Sequence, residues 1–203
     1  ITQIPTALDM VKDAHDKGYE TTLNLMAAST VPDRELDEGL EMLAKSEAGA
    51  IYVVDSFGAL YSEQVHFLVK KYMGHCKATR KEVGVHMHNN MQLAYANTIE
   101  GIIEGANLLD ATMAGLGRGA GNCPMELLLG FLRNPKYNLR PVLDCVQNHI
   151  EPMRAKLLWG YDLPYLLTGM LNQHPRTAIK FKEAELKGVK GDILDFYDTV
   201  TGQ

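Results

Sequence analysis

Val83-Gly84-Val85-His86-Met87-His88-Asn89-Asn90 sets two histidines one residue apart behind an apolar lead-in. On a β-strand, residues i and i+2 share a face and lie roughly 6–7 Å apart. Two imidazoles so placed can reach one divalent cation. Further along, Gly115-Leu116-Gly117-Arg118-Gly119-Ala120-Gly121-Asn122 follows another apolar segment, Leu108 to Ala114. A histidine pair after one strand and a glycine-rich loop after the next suggest a metal site at the mouth of a parallel α/β structure.

Working outward, helical and strand-like patterns alternate. Helices are predicted over 5–17, 33–46, 62–72, 91–105 and 124–132, and strands over 21–27, 50–55, 83–88 and 108–114. Pro5 opens the first helix and Gly18 stops it. Leu36, Leu40, Leu43 and Ala44 make one apolar face of the second. Continuous apolar strands between amphipathic helices mean a parallel sheet covered by helices. A doubly wound sheet and a (β/α)8 barrel both meet that description, and both place their chemistry at the C-terminal ends of strands. Polar residues gather there: Asn24, Asp55-Ser56, His86 and His88, then Asp110 and Thr112. Beyond residue 138 no strand-like segment is evident. Helices are predicted over 141–158, 162–171, 177–187 and 192–200, which divides the chain into an α/β part at 1–138 and a helical appendage at 139–203.

The 203 residues are 46% hydrophobic, enough for one sizeable core. A net charge of −5 and the lack of a basic run argue against a nucleic-acid partner. Apolar stretches are short and broken by charge, so no transmembrane helix is expected. No secretory signal is evident at the first residues. Three widely spaced cysteines, Cys76, Cys123 and Cys145, fit a reducing cytoplasm better than a disulfide framework.

The histidine pair needs a third ligand. Asp55, Asn90, Asp110 and Asn122 are the candidates on residue type and position. The loop glycines, Gly117 and Gly119 among them, permit positive φ and close approach of backbone to a substrate. Arg118 offers a charge for a phosphate or carboxylate. The loop is neither a P-loop nor a dinucleotide fingerprint, since it lacks Lys-Ser/Thr and follows the last strand rather than the first. Asp55 and Ser56 close a buried strand, where the carboxylate can bind substrate, orient a ligating histidine or cap the next helix. His15, His66, His75, His149 and His174 have no partner at ligand spacing and are expected to be surface or structural residues.

His86-Met87-His88-Asn89-Asn90, the run Ala94-Tyr95-Ala96-Asn97-Thr98, Asp110-Ala111-Thr112 and the segment Gly115 to Asn122 together resemble the HMGL-like (DRE-type) metal-dependent TIM-barrel family. Its branches include 4-hydroxy-2-oxovalerate aldolase, hydroxymethylglutaryl-CoA lyase and isopropylmalate synthase, and the first is the branch most similar. The resemblance spans roughly residues 20–200, with nearly all its specificity in 83–122. It implies a (β/α)8 TIM-barrel type fold of which strands five to eight are present, followed by the helical appendage. It implies that His86 and His88 bind a divalent metal, Mn²⁺ or Mg²⁺, with Asn122 added from the loop. It makes Tyr161, in the substrate pocket, the expected catalytic residue, and the positions read above as substrate-binding are Asp55, Ser56, Gly117 and Gly119. The implied reaction is cleavage of a 4-hydroxy-2-oxo acid to pyruvate and an aldehyde, with an aldehyde dehydrogenase as a possible partner.

The family's opening strand, with its Arg-Asp-Gly-type motif, has no counterpart here. The expectation is therefore half a barrel, completed by another polypeptide or by self-pairing. An acyl-CoA lyase or synthase and a non-catalytic metal-binding remnant are the alternative readings.

Overall fold

The computed structural model describes residues 2–203. It contains one four-stranded sheet in the order β1-β2-β3-β4, with β1 at Thr22–Leu25, β2 at Ala50–Asp55, β3 at Glu82–Met87 and β4 at Leu108–Leu109. Helices α1 (Ile4–Asp16), α2 (Asp33–Ala44), α3 (Ser62–Cys76) and α4 (Ala94–Ile103) alternate with these strands. The β1–β2 and β3–β4 pairs are parallel, in the registers Asn24↔Tyr52 and Val85↔Leu109. Sequential strand order without reversal is the order of a barrel wall. A doubly wound sheet would reverse direction at its switch point.

The chain forms two compact units. One comprises residues 1–55, 61–86 and 97–110, the other 56–60, 87–96 and 111–203. The first carries the sheet. Its core joins Leu36, Leu40 and Leu43 of α2, Ile51, Val53 and Val54 of β2, Val65, Val69 and Tyr72 of α3, and Val83 and Val85 of β3. Strand β2 is buried along nearly its whole length, as its unbroken apolar sequence requires. Gly101 of α4 lies against the Val85 side chain, where an added Cβ would come within 2.8 Å of Cγ1. That contact makes the Val85 side of β3 the helix-covered side. Gly84 and His86, by alternation, face away from it.

The second unit carries α5 (Met125–Leu132), α6 (Leu139–Cys145), α7 (Leu163–Met170), α8 (Arg176–Leu186) and α9 (Ile193–Thr201). Ala120, Tyr165, Ala178, Phe196 and Val200 form its core, and the Phe181 and Phe196 rings meet edge to face at 4.9 Å.

Two predicted elements differ. The strand expected over 108–114 ends at Leu109. Asp110 donates its N–H to Val85 O, but Thr112 then donates to Cys123 O and bridges to Pro124. The chain has left the sheet to pair with its own loop. The single helix expected over 141–158 divides into α6, a π-helical turn at Val146–Ile150 and a 3₁₀ turn at Glu151–Ala155. Pro152 has no N–H to give to the residue four before it, so the α-ladder cannot pass through.

Between α2 and α3, Asp37 accepts hydrogen bonds from Lys71 Nζ at 2.8 Å and from His75 Nε2 at 2.9 Å, and Lys71 also meets Asp33 at 2.9 Å. Those two donors hold the Asp37 carboxyl below the usual carboxylate range. A lowered folded-state value means that the unfolded chain binds the proton more readily. Asp37 therefore contributes stability in full above its ordinary value near 3.8, and the contribution is lost as pH falls below it. Asp37→Asn should flatten the acid limb of the stability profile below about pH 4, read by urea unfolding from pH 2.5 to 7. An acid limb as steep as the parent's would contradict this.

Tyr72 is fully buried, and its hydroxyl has no hydrogen-bond partner among the described residues. Burial pushes that phenol far up, so it stays neutral. Replacing an unsatisfied buried hydroxyl by hydrogen removes a desolvation cost. Tyr72→Phe should raise the unfolding free energy by about 1 kcal/mol, measured by denaturant titration. A loss of stability would reveal a partner for the hydroxyl.

Candidate metal and substrate site

In the sheet unit, the site begins with a missing side chain. A Cβ at Gly84 would lie 2.4 Å from the Tyr52 ring, so only glycine lets that ring lie across β3. The Tyr52 phenol lies within reach of the Asp110 carboxylate. Asp110 Oδ2 in turn lies 2.9 Å from His86 Nδ1. The register that pairs Val85 with Leu109 puts His86 level with Asp110 one step on. Burial, and then the Asp110 charge, push the Tyr52 phenol above its usual value, so it remains a donor. With Nδ1–H donated to Asp110, the His86 ring carries its lone pair on Nε2. A carboxylate that fixes a histidine tautomer in this way is the common outer partner of a metal-ligating imidazole. Asp55, at the end of β2, is 1% exposed.

In the second unit, His88 and Asn122 form an antiparallel bridge, flanked by Asn89 N–H to Gly121 O at 2.9 Å and Cys123 N–H to Met87 O at 3.2 Å. Residues directly opposite in an antiparallel pair carry their side chains to one face, with Cβ atoms about 5 Å apart. The Asn122 amide nitrogen donates to Leu116 O at 3.3 Å, so its Oδ1 is the atom it could offer to a metal. Imidazole and amide or carboxylate oxygen form a donor set suited to a divalent metal.

The loop's glycines have packing reasons. A Cβ at Gly121, where φ is +82°, would strike Gly115 O at 2.1 Å. The space beside Gly117 holds the Asn122 amide at 2.6 Å, and that beside Gly119 holds the Tyr165 ring at 2.5 Å. Ser56 is buried in the segment that reaches Gly58, whose carbonyl accepts the Met91 N–H at 3.2 Å.

Each sequence-derived candidate thus has a place. Asn90 is buried and its amide nitrogen donates to Tyr165 O at 3.2 Å, which ties it to α7. Tyr161 stands 61% exposed, whereas Tyr165 is 8% exposed against the loop. Asp110, another of the third-ligand candidates, makes its side-chain contact with His86 Nδ1. The sequence reading missed Tyr52 altogether. Its signal was a large polar-tipped ring paired in alternation with a glycine on the next strand.

Gly119→Ala places a side chain at φ +62° and against the Tyr165 ring. It should cost about 2–4 kcal/mol, of which roughly 1 is backbone strain and the rest overpacking. In a Tyr165→Ala background the same substitution should cost only the backbone part. Thermal and denaturant unfolding of the four variants gives the comparison, and equal costs in both backgrounds would refute the contact.

A family model described as HMGL-like matches residues 3–148. A 4-hydroxy-2-oxovalerate aldolase from Geobacillus stearothermophilus is 32% identical over 173 residues, covering 79% of this chain and 50% of that protein. One from Thermus thermophilus is 37% identical over 131 residues, covering 64% of this chain and 37% of that protein. The chain spans about half the length of the curated relatives it matches. Among solved structures, the N-terminal domain of a candidate aldolase from Bacteroides vulgatus superposes with a TM-score of 0.78 at 32% identity, covering 89% of this chain and 60% of that one. An HMG-CoA lyase from Bacillus subtilis superposes at 0.67 with 20% identity, over 76% of this chain and 56% of that one, a likeness of fold.

Proposed function

Because the chain belongs to the HMGL-like family, we propose that it supplies strands five to eight of a TIM barrel and the metal-binding side of an aldolase site. The reaction is carbon–carbon cleavage of a 4-hydroxy-2-oxo acid to pyruvate and an aldehyde. The observation that carries the reading is the 2.9 Å contact between His86 Nδ1 and Asp110, which prepares an imidazole for a metal.

His86 and His88 hold a divalent ion, Mn²⁺ or Mg²⁺, and Asn122 adds its amide oxygen. Once bound, the ion supplies Lewis acidity toward the oxygens of a 2-oxo acid. The chain's own residues do the positioning. Asp110 keeps His86 in one tautomer, and Tyr52 keeps Asp110 from rotating away. The His88–Asn122 bridge supports this pairing of ligands. Asp55 and Ser56, at the end of β2, together with the backbone of Gly117 and Gly119, bind substrate. Tyr161, exposed on the tail, contributes to the substrate pocket.

The arginine–aspartate pair and the base of such a site come from the other half of the barrel on a separate segment, since a second copy of this chain would bring further histidines but no such pair. An aldehyde dehydrogenase that accepts the released aldehyde is the corresponding partner.

Asp110→Asn should weaken Mn²⁺ binding about 10–100-fold, and His86→Ala/His88→Ala should abolish that class of site, both read by electron paramagnetic resonance of free Mn²⁺. Circular dichroism confirms folding of each variant. With the other barrel half supplied, the parent should exchange the methyl protons of pyruvate for deuterium. Parent-like Mn²⁺ affinity in the double variant would overturn the metal assignment. Turnover of acyl-CoA thioesters without pyruvate exchange would overturn the aldolase.

A further inference from the structure

One of the histidines expected to be surface or structural, His66, faces two carboxylates. His66 lies on α3. Glu100 lies on α4 and Glu104 just beyond its end, four residues apart and so on one side of the chain. His66 Nδ1 stands 2.8 Å from Glu104 Oε1 and 3.6 Å from Glu100 Oε1. One ligand atom from each of the three residues lies within 4.8 Å of the others. No other cluster of three or more His, Cys, Asp or Glu side chains among the described residues has its ligand atoms so close.

We propose that His66, Glu100 and Glu104 form a Zn²⁺-class transition-metal site on the seam of α3 and α4, additional to the site at His86 and His88. Donors on a tetrahedral ion with bonds near 2.1 Å stand about 3.4 Å apart. The two measured separations bracket that value. Two carboxylates four residues apart on one helical face repel each other. Glu104 is also withdrawn from water, its side chain being only 11% exposed. Lys70, one turn on from His66, offsets part of this charge. Its Nζ lies 3.1 Å from His66 Nε2 and 3.6 Å from Glu104 Oε2. With His66 neutral, one formal negative charge is left on the seam, and a divalent cation compensates it.

The geometry also makes Lys70 the competitor of the metal. A metal on Nδ1 requires the proton on Nε2, which then faces the ammonium of Lys70. Lys70 must swing aside, and its 61% exposed side chain can do so. Binding therefore exchanges one cation for another, and the single imidazole proton moves by way of solvent from Nδ1 to Nε2. One imidazole and two carboxylates suit zinc, and Mg²⁺, which prefers an all-oxygen octahedron, suits them poorly. Because the ligands come from two helices, the bound ion links α3 to α4 and stabilises the folded chain by mass action.

The test uses the full 203-residue chain carrying His86→Ala/His88→Ala, titrated with Zn²⁺ by calorimetry and with Co²⁺ by visible absorption. This background keeps the test independent of the aldolase-site reading. One equivalent should bind and raise the melting temperature. His66→Ala should remove that equivalent, and Glu104→Gln should weaken it at least tenfold. Lys70→Gln should tighten it several-fold, an outcome that a merely structural quartet would not produce. Absence of the equivalent in the folded background variant would overturn the proposal. So would a Zn²⁺ affinity unmoved by His66→Ala, or one weakened by Lys70→Gln.

Discussion

A line of side chains from Tyr52 through Asp110 to His86 is the constraint on which the sheet side of the site depends. It joins the middle of β2, the end of β3 and the residue that follows β4. Each link requires the one before it. Gly84 leaves space for the Tyr52 ring, the ring carries its hydroxyl to Asp110, and Asp110 fixes the imidazole. Parallel register is what makes the line possible. In a parallel ladder every strand end arrives at the same edge of the sheet, so residues distant in sequence are delivered level with one another. A slip of one residue in β4 would turn Asp110 to the helix-covered side and leave His86 without its acceptor.

The loop side is held differently, by backbone rather than by a side-chain chain. Residues 121–123 pair with 87–89 through two hydrogen bonds and the His88–Asn122 bridge. The sharp path this demands explains Gly121, whose absent Cβ is replaced by a carbonyl oxygen. The Trp159 indole N–H donates to Ala114 O at 2.9 Å, and Arg154 stacks 4.1 Å from the Trp159 ring. Tyr165 covers Gly119 while its own carbonyl accepts from Asn90. The glycine-rich loop is thus a packed, hydrogen-bonded element. Its glycines serve close contact with aromatic and amide side chains within this unit more than freedom of motion.

Local signals carried much of this. The apolar run 50–55 reads as a doubly buried strand because a parallel strand covered on both faces needs no polar alternation, and β2 is that strand. His86 and His88 were visible as candidates because spacing alone puts them on one face. What was not legible depended on pairing across strands. Asp110 could be named as a carboxylate near the site, but its role as orienting partner follows from the Gly84↔Leu108 register, which no local pattern specifies. Thr112 has the composition of a strand residue, yet its backbone pairs with Cys123 and Pro124, a tertiary preference that outweighs propensity. Pro152 was a readable breaker inside an otherwise helical pattern. His66 looked unpartnered because its carboxylates lie on the next helix, and a search at ligand spacing along one element cannot find them.

The sheet also bears on how such a site can work. Both of its outer strands are short, four residues in β1 and two in β4. Each has one neighbour among the described residues. Short edges limit the row of unpaired backbone groups, but a parallel sheet ordinarily has both faces covered and its edges closed. On the side away from the helices this sheet carries Tyr52, His86 and Asp110, all only partly buried, and the exposed Asn24 paired in register with Tyr52. These polar groups make a poor hydrophobic surface. A partner covering that side must therefore bring its own polar residues and close the edges through backbone pairing. Four further parallel strands do both at once, since the same alternation that points one set of their side chains inward satisfies β1 and β4 along the ladder. The polarity that makes this side unsuitable as an ordinary core is thus the property that the proposed barrel requires.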